Sequence, residues 1–517
     1  MNGLLAGLAV LLVAVGWLGT IRAGDGLRRT TTVVDGVPLT FVRPATGDGP
    51  YPGAVVVHGY AGSARLMQPF ADTLARNGYV VVLPDLAGHG ASPRPLADPL
   101  PDMDVAVRSL RAQPDVDPSR IVLVGHSRGA SAVTEYGGRH QDIAATVAVS
   151  LGVAPAVLPR NLLVLYGQME FLLVEPARQA LERAGAGESA EIGRTYGSVA
   201  DGTAVRADAV PGVEHVSILF SPVTHERVLT WFDDTVRPGA GGGAVHPLSR
   251  LWPSGLLLLG LLVGFVPLAG LALRGVVTRP RAVALAGSPA PASWLVNLAP
   301  PAPSDLVRPA LAVAGGLVAG AAVGAVGPDP AFGLAVGGYV AAVVGAFGLA
   351  ALGLAAWSGA TTRGATRPDA GTADQRRRSP WTPLRIAPLV VYAAAMVVVP
   401  IHIGLTWVMP NGPRLVPLLA LLGAAWALFG AAERLSLGRW YLHALVLVAP
   451  LGLLAALAVV GLAPGFLVLV LPLLAALLVI GAGLAAVLRR YAVPWWLIAA
   501  VAAPPFAWVA ATAFPLA

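Results

Sequence analysis

Eight stretches of about twenty apolar residues, set close together over the second half of the chain, constrain its fold more than any other feature. They lie near residues 251–273, 309–326, 331–357, 386–408, 415–432, 441–461, 466–488 and 493–513. A helix rising about 1.5 Å per residue needs roughly that length to cross a hydrocarbon core of about 30 Å. An earlier run, residues 4–18, is just long enough to join them. Composition agrees: of 517 residues, 56% are hydrophobic and 12% charged, with mean hydropathy +0.69. Soluble domains carry about twice that charge, so much of this chain belongs where charge is excluded.

The basic residues set an orientation. Every cationic side chain is Arg, and the net charge of +7 collects in short segments between apolar runs. That pattern is membrane topology and argues against a nucleic-acid patch. Arg274, Arg279 and Arg281 follow the first of the eight runs; Arg363, Arg367, Arg376, Arg377, Arg378 and Arg385 follow the third. Arg434 and Arg439 follow the fifth, and Arg489 and Arg490 the seventh. The alternate loops hold Asp329, Arg414 and no charge around Pro464. Under the positive-inside rule the Arg-rich loops are cytoplasmic, which places residues 28–236 outside the membrane. Arg22, Arg28 and Arg29 lie on that outer side, against the rule. Residues 1–27 read as an uncleaved signal-anchor, a removed signal peptide being the other reading. The divisions expected are residues 1–27, 28–236, a Gly-rich linker 237–250, and a membrane region 251–517.

Residues 28–236 have the composition of a soluble domain. Short apolar strands are expected at 54–57, 79–83, 121–124, 146–149, 162–165 and 205–210, with helical periodicity between them, as at 66–76 and 103–112. Strands such as Ala54-Val55-Val56-Val57 are apolar on both faces. That is the signature of a mostly parallel sheet covered on both sides, hence an α/β fold.

The third strand runs into Gly125-His126-Ser127-Arg128-Gly129. A G-x-S-x-G string alone is a weak signal, but a strand leading in and a helix leading out give it a mechanism. The chain must reverse so sharply that the residues flanking the serine by two positions have to be tiny, and the turn projects the hydroxyl. A nucleophilic serine needs a base and the base an orienting acid. Glu170 stands beyond the strand 162–165, with Glu175 close behind as a second choice or a helix N-terminal residue. His215 stands on the loop before the closing helix; His225, inside that helix, reads as a surface residue. His58 reads as a structural hydrogen-bonder and His89 as a residue tying down its turn.

These segments resemble α/β-hydrolase-fold enzymes, above all compact bacterial esterases and dienelactone-hydrolase-like proteins. The matching strings are HGY at 58–60, DLAGHGAS at 85–92, GHSRG at 125–129, YGQME at 166–170 and PGVEH at 211–215. The resemblance implies Ser127 as nucleophile, His215 as base and then acid, Glu170 as orienter, and the Tyr60 and Arg128 amides as an oxyanion hole. Glu170 departs from the Asp most such enzymes carry. Only a dozen residues separate the strands ending near 149 and starting near 162, so no large lid is expected.

The expected activity is ester hydrolysis or acyl transfer by a Ser-His-Glu triad, without cofactor or metal, on the outer face of a bacterial plasma membrane. Expected partners are an ester or lipid-like substrate and membrane lipids, with no nucleic acid; amide cleavage uses the same groups. The competing reading is a transporter or envelope-assembly protein whose hydrolase-like domain only binds. Cysteine is absent, which excludes disulfides, thiolate nucleophiles and thiolate metal sites. Within the spans His402 reads as a packing histidine, and Glu433, Arg434 and His443 fall near span ends. Small pairs such as Gly315-Gly316 and Gly337-Gly338 permit close helix packing.

Overall fold

The computed structural model describes residues 2–187, 190–273, 302–327, 331–363 and 383–517. Arg274, Arg279, Arg281, Arg367, Arg376, Arg377, Arg378 and Asp329, used above for orientation, lie outside the described residues.

The first helix, α1 (Asn2–Arg22), leads into a nine-stranded sheet. In chain order the sheet contains β1 (Leu27–Val34), β2 (Val37–Pro44), β3 (Tyr51–Val57), β4 (Val80–Pro84), β5 (Val116–His126), β6 (Ala145–Val149), β7 (Leu162–Gly167), β8 (Thr195–Tyr196) and β9 (Val205–Val210). Their spatial order is β1-β2-β4-β3-β5-β6-β7-β9-β8. The strands from β4 to β9 across the centre run parallel, and β1, β2 and β8 join them antiparallel at the edges. The inner strands are dominated by buried Val, Ile, Leu and Ala, as in β4, β6 and β7, because both faces are covered, while β9 also carries Arg206 and Asp208. Helices α2 (Gln68–Arg76) and α6 (Pro222–Val236) bury Phe70, Leu74 and Phe232 against one side of the sheet. Helices α3 (Leu100–Arg111) and α4 (Arg128–Arg139) bury Met103, Leu110 and Val133 against the other, and α5 (Val174–Leu181) closes the far end over β7 and β9. The α/β expectation therefore holds, and the edge hairpin β1–β2 is an addition to it.

The remaining helices are α7 (Leu251–Leu273), α8 (Pro303–Ala325), α9 (Gly337–Arg363), α10 (Pro383–Gly404), α11 (Leu415–Leu435), α12 (Trp440–Val459), α13 (Leu467–Arg489) and α14 (Trp495–Ala513). Together with α1 they make nine helices, among the described residues, that are long and apolar enough to cross a membrane. The chain is thus built as a multi-pass membrane protein. Helices α7 to α14 share one apolar cluster, with α11 and α14 the most enclosed.

The sheet domain meets one end of this bundle. Ser63 Oγ lies 2.9 Å from Thr406 Oγ1 beyond α10, and the Asn411 amide donates to Ser92 O at 3.0 Å. The final residues complete the junction: Leu516 N donates to Gly88 O, and Leu96 N to Leu516 O, each at 2.9 Å. Arg414 lies between α10 and α11, in the expected loop, and is fully buried there. Its guanidinium donates to Ala511 O, Phe514 O and Gly88 O at 2.9, 2.7 and 2.9 Å, binding the end of α14 to the loop after β4. At the opposite end of the bundle, Arg489 pairs with Glu433, whose carboxylate lies 3.6 Å from His443. His402 accepts from Val408 N and meets Trp407 edge-on, a packing role.

Candidate active site

The turn after β5 places Ser127 at φ 55°, in the left-handed region, immediately before α4. Two glycines make that turn possible. A Cβ on Gly125 would stand 2.2 Å from Gly129 O, and one on Gly129 would stand 2.4 Å from Val57 O. The space between strand and helix is therefore closed to any side chain at either position. The strained serine is held by its own amide, which donates to Val149 O at 2.8 Å.

Three side chains from separate loops converge there. His215 Nε2 lies 3.0 Å from Ser127 Oγ, and His215 Nδ1 lies 2.6 Å from Glu170 Oε1. The other Glu170 oxygen accepts from the Gly167 amide at 2.7 Å and the Ser150 hydroxyl at 2.8 Å. Burial pushes the Glu170 carboxyl up, but the bonds from His215, Gly167 and Ser150 outweigh it and hold the pKa below the ordinary value. The carboxylate is thus ionised, fixed in rotation, and aimed at the imidazole. With Nδ1–H donated to Glu170, the exposed-side nitrogen Nε2 is left to accept from the serine hydroxyl.

Tyr60 follows β3 in the His58-Gly59-Tyr60 turn, with its ring 4.7 Å from Phe466 and 5.7 Å from His89. Arg128 is the first residue of α4, where an amide has no carbonyl partner within its own helix. Its guanidinium donates to Ala97 O at 2.8 Å. His58 accepts from Leu86 N at 3.1 Å and His89 lies 2.9 Å from Ala87 O, so both fasten loops. Burial lowers the His58 pKa to about 4 and places that of His89 well below its ordinary value, which leaves both neutral. Glu175 lies in the first turn of α5 and bonds Gln179, away from the imidazole.

Sequence reasoning missed two supports. Ser150, itself at φ 56°, holds Glu170. His126 is buried, with its pKa lowered to about 3 chiefly by that burial. As a neutral ring it donates Nε2–H to His215 O at 2.8 Å, fixing the loop that carries the base. A polar residue at or just beyond the end of a central strand was the available signal for each. His225 corrects an expectation: it is 1% exposed, stacked on Phe70 and bonded to Thr73 Oγ1 and Leu219 O, not a surface residue.

The parallel sheet and the serine elbow decide the fold. This is an α/β-hydrolase domain. The family described as serine aminopeptidase, S33, matches residues 52–187. Protein ABHD8 of Bos taurus is 35% identical over 107 residues, covering 20% of this chain and 25% of that one. The chain thus spans about a quarter of the length of the curated relatives it matches. Among solved structures, the Pyrococcus furiosus esterase Pf2001 has 16% identity and TM-score 0.33, covering 42% of this chain and 95% of its own. A soluble variant of Saccharomyces cerevisiae monoglyceride lipase has 11% identity and TM-score 0.31, covering 40% of this chain and 96% of its own. The chain joins a domain of α/β-hydrolase fold to a multi-pass helical half. Among the described residues no cluster of His, Asp and Glu suits a metal ion.

Proposed function

We propose that the chain is a membrane-bound serine hydrolase that cleaves carboxylic esters through an acyl-Ser127 intermediate. The observation that carries this reading is the continuous relay from Ser127 Oγ through His215 to Glu170, at 3.0 and 2.6 Å. His215 would take the serine proton as Oγ attacks the ester carbonyl, then return it to the leaving alcohol; water repeats the sequence to free the acid. The Arg128 and Tyr60 amides would receive the oxyanion, each such donor being worth about 3 kcal/mol in the transition state. We assign the catalytic unit to residues 28–236, the membrane region to residues 251–517, and the stretch 237–250 to a linker.

Several features favour an apolar, lipid-like ester. Met169, Phe171, Leu172 and Val216 flank the relay and are all exposed. Residues 150–161, between β6 and β7, contain no helix to act as a lid. The Tyr60 ring packs directly on Phe466 at the start of α13, so the mouth stands at the level of the helix ends. Arg434, Arg439, Arg489 and Arg490 sit at the bundle end away from the hydrolase domain, which supports a cytoplasmic location for that end and an outer-face location for the domain.

Turnover of p-nitrophenyl esters of graded chain length by the detergent-purified chain tests the reaction. Activity rising with chain length and lost in Ser127→Ala is expected; no turnover by folded wild type favours a binding module. Because the natural chain lacks cysteine, a single cysteine placed at exposed Gly212 reads the side directly. Labelling by an impermeant maleimide in intact cells is expected, and labelling only after lysis would reverse the orientation.

A further inference from the structure

A second cavity, of about 450 Å³, lies between the hydrolase domain and the helix ends. It is separate from the relay: Ser127, His215, Glu170 and Tyr60 do not line it. Its walls come from the β1–β2 hairpin, from the segment after β3, and from two residues at the helix ends, Arg250 before α7 and Trp407 after α10.

Three guanidinium groups, Arg29, Arg65 and Arg250, face this space. Two of them share one carboxylate: Arg29 Nη2 lies 2.7 Å from one oxygen of Asp72 and Arg250 Nε lies 3.3 Å from the other. Asp85 also borders the cavity, but its oxygens accept the Ala64 and Ala91 amides at 2.7 and 3.1 Å. Arg65 is left over. Among the described residues its side chain makes no hydrogen bond and no ion pair, and its Nε is buried without a partner. The guanidinium carbon lies 5.8 Å from the Trp407 ring centroid. Burial, together with the charges of Arg250 and, more weakly, Arg29, lowers the Arg65 pKa to about 10, with the nearby Asp85 carboxylate acting in the opposite direction. A partly buried guanidinium whose Nε lacks an acceptor gains a partner if an anion enters.

We infer that this cavity binds a phosphate group, that of an anionic phospholipid in the leaflet facing the hydrolase domain, with Arg65 as its main ligand. Phosphate matches the planar fork of Arg, and the hydroxyls of Thr31 and Thr40, paired across the hairpin, line the same wall. The position suits a headgroup, since Arg250 and Trp407 mark the helix ends, and Trp is favoured at that depth. The inference also gives a role to Arg29, one of the arginines that contradict the positive-inside pattern. It does not depend on the catalytic reading.

The test is native mass spectrometry of the full chain, released from micelles holding equal phosphatidylglycerol and phosphatidylcholine of matched acyl chains. The wild type should retain phosphatidylglycerol preferentially, and Arg65→Gln should lose at least about ten-fold of that retention. Arg65→Lys, which keeps charge but not the fork, is measured beside it and should also fall short of wild type. Displacement of the lipid by millimolar glycerol 3-phosphate or inorganic phosphate would retain the site and assign it to a soluble phosphate. Equal retention of both lipids by wild type, or retention unchanged in Arg65→Gln, would overturn the inference; the first readout needs no variant to fold.

Discussion

Replacing Glu170 by Gln removes one charge and changes no volume, and the surrounding bonds determine what the amide must do. One carboxylate oxygen of Glu170 accepts from Gly167 N and Ser150 Oγ, so the amide oxygen of Gln has to occupy that position. Its NH₂ then faces His215 Nδ1, where the carboxylate oxygen now sits at 2.6 Å. Two donors cannot share that contact, so Nδ1 must give up its proton and Nε2 must carry it. Nε2, 3.0 Å from Ser127 Oγ, would then donate to the serine instead of accepting from it. A wrong tautomer of this kind costs about 10⁴ in kcat, or about 5 kcal/mol of barrier. The assay is kcat and KM for a p-nitrophenyl ester with the full chain in detergent, with KM expected to change little. Adding Ser150→Ala should recover part of the loss, because one of the two donors holding the amide in that orientation is gone. Glu170→Gln activity within ten-fold of wild type would refute the assignment of Glu170 as orienter.

Other consequences are as direct. Gly129→Ala should abolish ester turnover, because its Cβ would stand 2.4 Å from Val57 O and 2.6 Å from His58 O, backbone atoms that cannot move aside; a melting curve alongside separates lost geometry from lost fold. His225 is buried neutral, with its pKa lowered by burial from 6.5 to about 4. Its contribution to stability is complete above pH 6.5 and is lost as pH falls towards 4, on the order of 3 kcal/mol; acid melting curves should be less steep in His225→Gln than in wild type, the remainder coming from His58, His89 and His126. Arg414→Gln should leave the buried carbonyls of Ala511 and Phe514 without their guanidinium donor, while Gly88 O keeps the Leu516 amide, costing about 2–4 kcal/mol. Limited proteolysis should then cut the 86–96 loop faster than in wild type.

What the sequence disclosed follows from how far apart the interacting residues lie. The parallel strands were legible because a strand covered on both faces must be apolar throughout, as in Val80–Pro84 and Leu162–Gly167. The helices of the bundle were legible for the same reason, through length and apolarity. The β1–β2 hairpin was not, since Leu27–Val34 carries Arg-Arg-Thr-Thr-Thr and lies largely exposed at the sheet edge. Ser127, His215 and Glu170 could be proposed because each follows a strand in the order that the fold imposes. Ser150 and His126 could not, since their value lies in contacts with Glu170 and His215, 20 and 89 residues away. Position in a helix does not tell which side is covered, which is why His225 read as surface. Likewise Arg414, a lone charge near a span end, gave no sign that the chain terminus would return to enclose it.

Fluorophosphonate labelling of the purified full chain, beside Ser127→Ala, tests the central claim most directly. An activated serine predicts one covalent adduct on the wild type, mapped to the peptide containing Ser127, absent from Ser127→Ala and abolished by prior heat denaturation. A folded wild type that stays unlabelled, or a Ser127→Ala variant labelled as strongly, would contradict the account.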